Sequence, residues 1–254
     1  MEVISIDVSG KFAHFRKFYV NNTALSYFIP PRTTIMGMLA SIQGKQRDSY
    51  YTEMASDKIR IGIRILCPVK KSFHRVNLLS VKTVNDFRGK SGRTQVPFEV
   101  VTGLNPVTDF VKYRIYVACF EEGREQFEAL KNVLTKKDFT YNLTLGTANF
   151  SASVDAVRIH NASEVNASDS SDILMLHSAV CTDKLKEIKI DPNSNLRIEE
   201  ELIPTDFVDD NDRELSNIQR VIYSIDEQAI PVIIKENYYV LSELEQPENI
   251  TFIE

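Results

Sequence analysis

The chain has few cysteines, few histidines and no long apolar run, and each shortage excludes a class of protein. Its 254 residues include three cysteines and four histidines. Cys67, Cys119 and Cys181 lie far apart, which predicts reduced thiols in a cytoplasm and no disulfide framework, and no Cys/His spacing suits zinc. No apolar run reaches the length of a membrane span, and the first residues lack a signal-peptide pattern. We therefore expect a cytoplasmic protein with no membrane contact, no bound metal and no cofactor.

Charge is unevenly distributed along the sequence. The whole chain has a formal net charge of −5. Residues 1–100 hold 16 Lys and Arg against 7 Asp and Glu, a net charge of +9, so residues 101–254 carry a net charge of −14. Such an asymmetry favours a polyanion-binding region in the N-terminal part. An ordinary protein surface with uneven charge has the same appearance, so charge alone does not decide between the two.

Hydrophobic patterns predict an α+β fold. Helices are predicted at 32–43 and 122–137, and strands at 2–9, 58–66, 72–84, 98–104, 113–120 and within 139–154. This order is that of a ferredoxin-like (RRM-like) domain over residues 1–154, with an inserted basic β-hairpin at about 72–104. Residues 155–254 are expected to form a smaller, acidic, β-rich region.

Two segments carry expectations about the surface. Residues 58–66 alternate charged side chains with isoleucine, which predicts a strand with one buried and one solvated face. Residues 199–214 are rich in acidic side chains, a pattern typical of a solvated segment.

The stretch 15–44 contains the clearest candidate ligand site. Basic and aromatic residues alternate through 16–19, and two prolines precede an apolar helix that opens at Arg32. Proline suits a helix start, and Thr33 and Thr34 are placed to cap the free backbone N–H groups. Together with the helix dipole and Arg32, these N–H groups predict a phosphate-sized anion site.

Two later segments also suggest a ligand. Arg88, Lys90 and Arg93 lie in the predicted hairpin between two phenylalanines. Because cations bind phosphates and rings stack on unpaired bases, this composition predicts contact with single-stranded nucleic acid, although a solvated turn has a similar composition. Gly146 lies in a predicted turn, where the missing Cβ permits either a close approach by RNA or a tight reversal of the chain.

Three segments, in the same order, carry a resemblance to a known family. They are Phe15-Arg16-Lys17-x-Tyr19 with the following Pro30-Pro31-Arg32-Thr33-Thr34-x-x-Gly37-x-Leu39, then Arg93-x-Gln95-x-Pro97-x-Glu99, and finally Leu145-Gly146-x-Ala148-x-Phe150. Over roughly residues 1–154 they resemble the CRISPR-associated RAMP proteins of the fifth numbered Cas family. Asn142, Leu143 and Asn149 stand near positions where the family often has Pro and Glu.

The resemblance implies a subunit of a type I, I-B-like CRISPR Cascade complex that caps the 5′ handle of the guide RNA (crRNA). It implies that the hairpin is a thumb lying against the RNA. The implied partners are the crRNA 5′ handle, the backbone subunit, the large subunit and target DNA near the PAM. The RNA-binding residues predicted from the patterns and the resemblance are Arg16, Lys17, Tyr19, Arg32, Thr33, Arg88, Lys90, Arg93, Gln95 and Gly146.

Two alternative functions stay open. Some relatives cut precursor crRNA without metal, using a Tyr and a Lys-His pair as the acid and base that such cleavage needs. This chain has no Lys-His dipeptide, although Tyr50 or Tyr51 with Lys71 and His74 offers another set. The second alternative is a protein–protein scaffold without RNA contact. The sequence favours a non-catalytic RNA-binding subunit over both.

Overall fold

The N-terminal part of the chain combines strands with two α-helices. The computed structural model describes residues 1–20, 23–167, 171–209, 213–244 and 246–254. In chain order, the elements of this part are β1 (Glu2–Gly10), β2 (Phe15–Arg16), β3 (Ser26–Tyr27), α1 (Arg32–Gln43), β4 (Ile59–Ile65), β5 (Val69–Leu79), β6 (Arg93–Gly103), β7 (Val111–Cys119), α2 (Arg124–Lys136) and β8 (Ala152–Asn161).

The C-terminal part consists of shorter strands. They are β9 (Ser163–Val165), β10 (Leu174–Leu176), β11 (Val180–Cys181), β12 (Leu185–Ile188), β13 (Ile198–Phe207), β14 (Leu215–Ser224), β15 (Ile230–Ile234), β16 (Tyr238–Leu241) and β17 (Glu248–Ile250). The prediction of a mixed fold with few helices and many strands is confirmed. No helix in the described ranges is long and apolar enough to cross a bilayer.

A four-stranded sheet in the order β4-β7-β1-β8 organises the N-terminal part, and all three strand pairs are antiparallel. Both helices pack on one face of this sheet, where Met36 of α1 and Phe127 of α2 join Ile4 and Ile115 in the main apolar cluster. The predicted helix at 32–43 is confirmed, and it ends at Gly44, which adopts the left-handed conformation with φ 72°.

The opposite face of the sheet is covered by the C-terminal strands, so the expectation of a solvated face on the strand at 58–66 is wrong. Arg60 forms an ion pair with Glu254, and Arg64 forms one with Glu248. Tyr116 of β7 packs in a second apolar cluster with side chains of β16 and β17. Charged residues alternate along β4 because they meet acids brought from the end of the sequence, a long-range pairing that a local pattern does not reveal.

Strands β5 and β6 form a long antiparallel hairpin. Their register runs from Val69 opposite Gly103 to Leu79 opposite Arg93. Residues 93–97, expected to belong to the turn, pair instead with β5, and the turn contains a short 3-10 helix at Val84–Arg88. Strand β6 therefore begins five residues nearer the tip than predicted, whereas β5 ends at Leu79, five residues before the predicted end at 84.

The acidic run at 199–214 is only partly solvated, which corrects the prediction. Its first part lies in β13, where Glu201 and Asp206 are buried against the N-terminal part. Residues 210–212 of the run lie outside the described residues.

The expected domain boundary after residue 154 falls inside β8, which pairs along its length with β1. The apolar cluster likewise includes C-terminal residues such as Val221.

Among the charged residues that the structure describes, Arg32 is the most completely buried, and it connects three parts of the chain. Its side chain is 0% exposed and donates to Asp206 Oδ1 at 2.7 Å and to the Thr205 carbonyl at 2.9 Å. It also donates to the carbonyls of Met54 (2.8 Å) and Ile59 (2.6 Å). The expected role of Arg32 as a phosphate ligand is therefore corrected: the guanidinium points into the core and joins α1 to β13 and β4.

Replacing Arg32 with methionine leaves Asp206 buried without its cation. We expect Arg32→Met to lower the free energy of unfolding by about 3–5 kcal/mol, as for other buried ion pairs that lose one partner. Urea denaturation measures this loss.

The matched control is Arg16→Met, the same change at an exposed position. There we expect a shift within about 0.5 kcal/mol. Equal stability of the two variants would contradict the buried role of Arg32.

Candidate nucleic-acid interface

Three neighbouring cavities form one groove along the side of the molecule. Their volumes are about 360, 530 and 360 Å³, from the cavity beside α1 to the cavity under the hairpin. Thr34 and Gly146 line both the first and the second, whereas Leu78, Phe98 and Thr147 line both the second and the third. We call this continuous surface the α1–hairpin groove.

The two faces of the hairpin differ in the side chains that they carry. Successive side chains of a strand alternate between faces. His74, Val76 and Leu78 of β5 line the groove together with Phe98 of β6. Residues of the other parity, such as Arg93, therefore lie on the outer face. One face of the hairpin is an apolar wall of the groove, and the other is exposed and partly basic.

The hairpin tip is ordered by Asp86. Its carboxylate accepts hydrogen bonds from the backbone N–H groups of Lys82 (2.8 Å) and Thr83 (2.6 Å) and from the Ser91 hydroxyl. The Ser91 bond and these N–H bonds lower the pKa of Asp86 to about 2. The tip therefore keeps a defined turn although its side chains are exposed, among them Phe87 at 72%.

The predicted residues at 16–19 have different environments. Arg16 is exposed and lines the second cavity. Lys17 is mostly covered and forms an ion pair with Glu201 at 2.6 Å. Burial acts to lower the pKa of Lys17, but Glu201 outweighs it, so the pKa lies above its usual value. Tyr19 is 52% exposed beside the Lys17 ammonium. Arg16 and Tyr19 are thus accessible, whereas the charge of Lys17 is neutralised within the protein.

The start of α1 does not have the predicted cap. Pro31 is the N-cap residue, and among the described residues no side chain caps the helix. The Pro31 carbonyl accepts the first hydrogen bonds of the helix, from the N–H groups of Thr34 and Ile35 at 2.9 and 3.0 Å. Thr33 is half-buried and lines the first cavity, so it stays accessible from the groove.

The four predicted residues of the hairpin lie away from the groove floor. Arg88 and Lys90 are exposed at the tip, and Arg93 and Gln95 are exposed on the outer face of the hairpin. The structure therefore brings Arg16, together with Thr33 and Gly146, to one groove. The four hairpin residues form a separate group along the hairpin.

The backbone conformation at residue 146 requires a glycine. Its φ is +93°, and a Cβ at this position would lie 1.9 Å from the carbonyl oxygen of His14. The neighbouring Leu145 carbonyl accepts from the His14 N–H at 3.0 Å. The close approach that glycine permits is thus made by the chain itself, and it fixes a turn that lines both the first and the second cavity.

Sequence reasoning missed two sets of residues at this interface. One is Glu201, which forms an ion pair with Lys17 and whose carboxylate lies 3.4 Å from the ammonium of Lys71. The other is the group of aromatic side chains around the third cavity, to which Phe12 and Phe150 belong. No periodicity links positions so far apart in sequence, so no local signal could have found either set.

The residues considered for RNA cleavage do not share one cavity: Tyr50 and Tyr51 line the first, His74 lines the third, and Lys71 lines none of the three. Tyr51 is 3% exposed beside the first cavity and donates to Asp48 Oδ1 at 2.5 Å, whereas His74 lines the third cavity. Burial, followed by this hydrogen bond, raises the pKa of Tyr51 well above its usual value. Burial lowers the pKa of Lys71. Within the described ranges, no three His, Cys, Asp or Glu side chains are grouped to hold a metal ion.

Substitution of Gly146 tests whether the close contact fixes the turn. A positive φ costs a non-glycine residue about 1–2 kcal/mol, and in Gly146→Ala the contact with His14 adds to this. We expect the free energy of unfolding to fall by more than about 2 kcal/mol in urea titrations.

Gly92→Ala is the control, because Gly92 has φ +75° but, apart from the two adjacent residues, nothing lies within 4 Å of the place that a Cβ would take. It should lose no more than the conformational cost of about 1–2 kcal/mol. Equal losses in both variants would show that the His14 contact does not matter.

Comparison with known proteins identifies the family. The family described as CRISPR-associated protein (Cas_Cas5) matches residues 3–197. No curated protein matches the sequence. A CRISPR protein from Archaeoglobus fulgidus has 14% identity and a TM-score of 0.59, with 98% of each chain covered. A chain of a CRISPR RNA-guided surveillance complex has 12% identity and a TM-score of 0.49, covering 90% of this chain and 91% of that one.

The Archaeoglobus fulgidus structure shows a shared fold along the whole chain. The family match covers well over half of the sequence and includes all three segments that carry the resemblance. The protein therefore belongs to the Cas5 family of CRISPR-associated proteins.

Proposed function

We propose that this protein is a non-catalytic, crRNA-binding subunit of a type I CRISPR Cascade complex and that it caps the 5′ handle of the guide RNA. The observation that carries the proposal is the α1–hairpin groove, which joins exposed Arg16 to the hairpin wall. Family membership supplies the CRISPR context. Single-stranded RNA needs cations for its phosphates and apolar or aromatic surfaces for its bases, and this side of the molecule offers both.

The fold assignment belongs to the same proposal. The sheet order β4-β7-β1-β8, with α1 after β1 and α2 after β7, supports a ferredoxin-like RAMP domain. The β5–β6 hairpin, inserted between β4 and β7, would be the thumb. Arg88, Lys90 and Arg93 would contact the RNA backbone along it, while Arg16 would hold a phosphate in the groove.

The assignment to binding without catalysis is supported by the state of the candidate groups. The Tyr51 hydroxyl is covered and bonded to Asp48, and the Lys71 ammonium lies 4.0 Å from the Phe28 ring centre and close to Glu201. Neither group is free to exchange a proton with RNA in this arrangement. The proposed protein partners are the backbone and large subunits, with target DNA near the PAM beside the large subunit, in the cytoplasm.

The proposal predicts RNA binding that weakens steeply with salt. If Arg16 and the three hairpin cations each neutralise one phosphate, the slope of log affinity against log salt should be about −0.7 per contact. Affinity should then fall about 50-fold between 50 and 200 mM salt. The measurement is fluorescence anisotropy with labelled single-stranded RNA of the host's CRISPR repeat, with EDTA present. Affinity that does not change with salt would contradict the proposal.

Removing the hairpin cations tests where the RNA lies. The triple variant Arg88→Ala, Lys90→Ala, Arg93→Ala should reduce the slope of log affinity against log salt by about 2. The matched control removes three exposed lysines elsewhere, in Lys136→Ala, Lys186→Ala, Lys235→Ala, and so changes the net charge equally. Equal effects of both triple variants would show that binding depends on overall charge and not on the hairpin.

The same samples, run on a denaturing gel, separate binding from cleavage. The proposal predicts intact RNA. A discrete cut in EDTA would instead identify a metal-independent endoribonuclease, and His74→Ala and Tyr51→Phe would then locate its acid and base. Neither binding nor cutting would favour the protein–protein scaffold.

A further inference from the structure

The third cavity of the α1–hairpin groove differs in chemistry from the other two. Three phenylalanines surround it, with ring centres 5.8 Å apart for Phe12 and Phe150 and 6.2 Å apart for Phe98 and Phe150. Val76 and Val100 of the hairpin complete the apolar lining. All three rings are only partly buried, so they form an accessible aromatic surface and not a closed core.

Phe98 is held in place from behind. Its ring stacks on the imidazole of His14, with ring centres 4.0 Å apart and planes 29° apart. His14 is 3% exposed and donates from Nδ1 to the Glu99 carbonyl at 2.7 Å. The aromatic surface therefore exists before any ligand arrives, which reduces the ordering that binding must impose.

A few polar groups accompany the rings. His74, Thr147 and Asn149 line the same cavity. An amide and an imidazole offer both donors and acceptors, as the edge of a nucleobase does. An apolar cavity with a small number of polar groups is typical of sites that fix the orientation of a planar ligand.

The neighbouring second cavity supplies the complementary charge. It contains Arg16 and shares Leu78, Phe98 and Thr147 with the third cavity. A nucleotide has the same division, because a charged phosphate is joined to a planar, weakly polar base. An apolar side chain of a protein partner would leave Arg16 unused, so the groove favours a nucleotide.

We propose that the cavity lined by Phe12, Phe98 and Phe150 binds one unpaired base of the RNA, with the edge of that base facing Asn149 and His74. The phosphate beside this base contacts Arg16. The proposal rests on the proposed RNA-binding function and adds to it a specific subsite. It makes one position of the RNA dependent on its base, whereas backbone contacts make no such distinction.

The test is a series of labelled single-stranded CRISPR-repeat RNAs in which one nucleotide at a time is abasic. Stacking contributes about 1–3 kcal/mol per base, so we expect one position at which affinity falls about 5-fold to 150-fold. In Phe150→Leu, which keeps apolar volume but removes the ring, this loss should shrink to less than about twofold. Thermal denaturation of each variant checks that it is folded.

Two further variants make the result specific. Phe120→Leu removes a phenylalanine that is 38% exposed outside the groove, so it should leave the abasic profile unchanged. Asn149→Ala, at an exposed position, should keep the abasic loss but reduce the difference in affinity among the four bases at that nucleotide. This second readout stays informative if Phe150→Leu fails to fold.

The outcomes separate this proposal from the proposed function. Salt-dependent binding with a flat abasic profile overturns the base pocket but leaves RNA binding intact, and the cavity would then suit a partner's side chain. A peak that persists in Phe150→Leu, or that Phe120→Leu also removes, places the base elsewhere and overturns the pocket. Absence of RNA binding overturns both.

Discussion

The buried ion pair between Arg32 and Asp206 is the constraint on which the arrangement of the molecule depends. Arg32 begins α1, and Asp206 lies near the end of β13, far along the chain. A charge in the interior is tolerated only when its partners are fixed, so the pair sets where β13 lies against α1. The backbone carbonyls that share the guanidinium extend this constraint to the start of β4. The acidic C-terminal strand is thereby held against the basic N-terminal part.

This placement determines which cations are free for a polyanion. Glu201, on the same strand as Asp206, pairs with Lys17 and lies close to Lys71. The positive charge of the N-terminal residues is therefore not a uniform surface. Part of it is neutralised inside the protein, and the accessible part includes Arg16 and the exposed cations of the hairpin. The hairpin itself is two-sided: one face lines the groove, and the other presents Arg75 and Arg93 beside the exposed Phe73 ring.

Local patterns predicted the elements but not their partners. The helix at 32–43 and its end at Gly44 follow from a short stretch of sequence, and the structure has the same bounds. Two expectations were wrong: a solvated face on β4 and a phosphate contact for Arg32. Arg60 of β4 pairs with Glu254 and Arg32 pairs with Asp206, and both acids belong to the C-terminal part. The aromatic cavity could not be predicted from the sequence either, because the fold of β1 and of the Gly146 turn brings Phe12 and Phe150 together. In all three cases, the environment of the side chain depends on a charge or a ring that lies far away in the sequence.

Ultraviolet cross-linking of the full chain to single-stranded CRISPR-repeat RNA, followed by mass spectrometry, tests the central claim most directly. The account predicts cross-linked peptides from three segments: the hairpin tip at 80–92, the groove residues at 12–19 and the turn at 144–150. Cross-links confined to the acidic strand β13 or to the C-terminal strands on the opposite face of the sheet would contradict it.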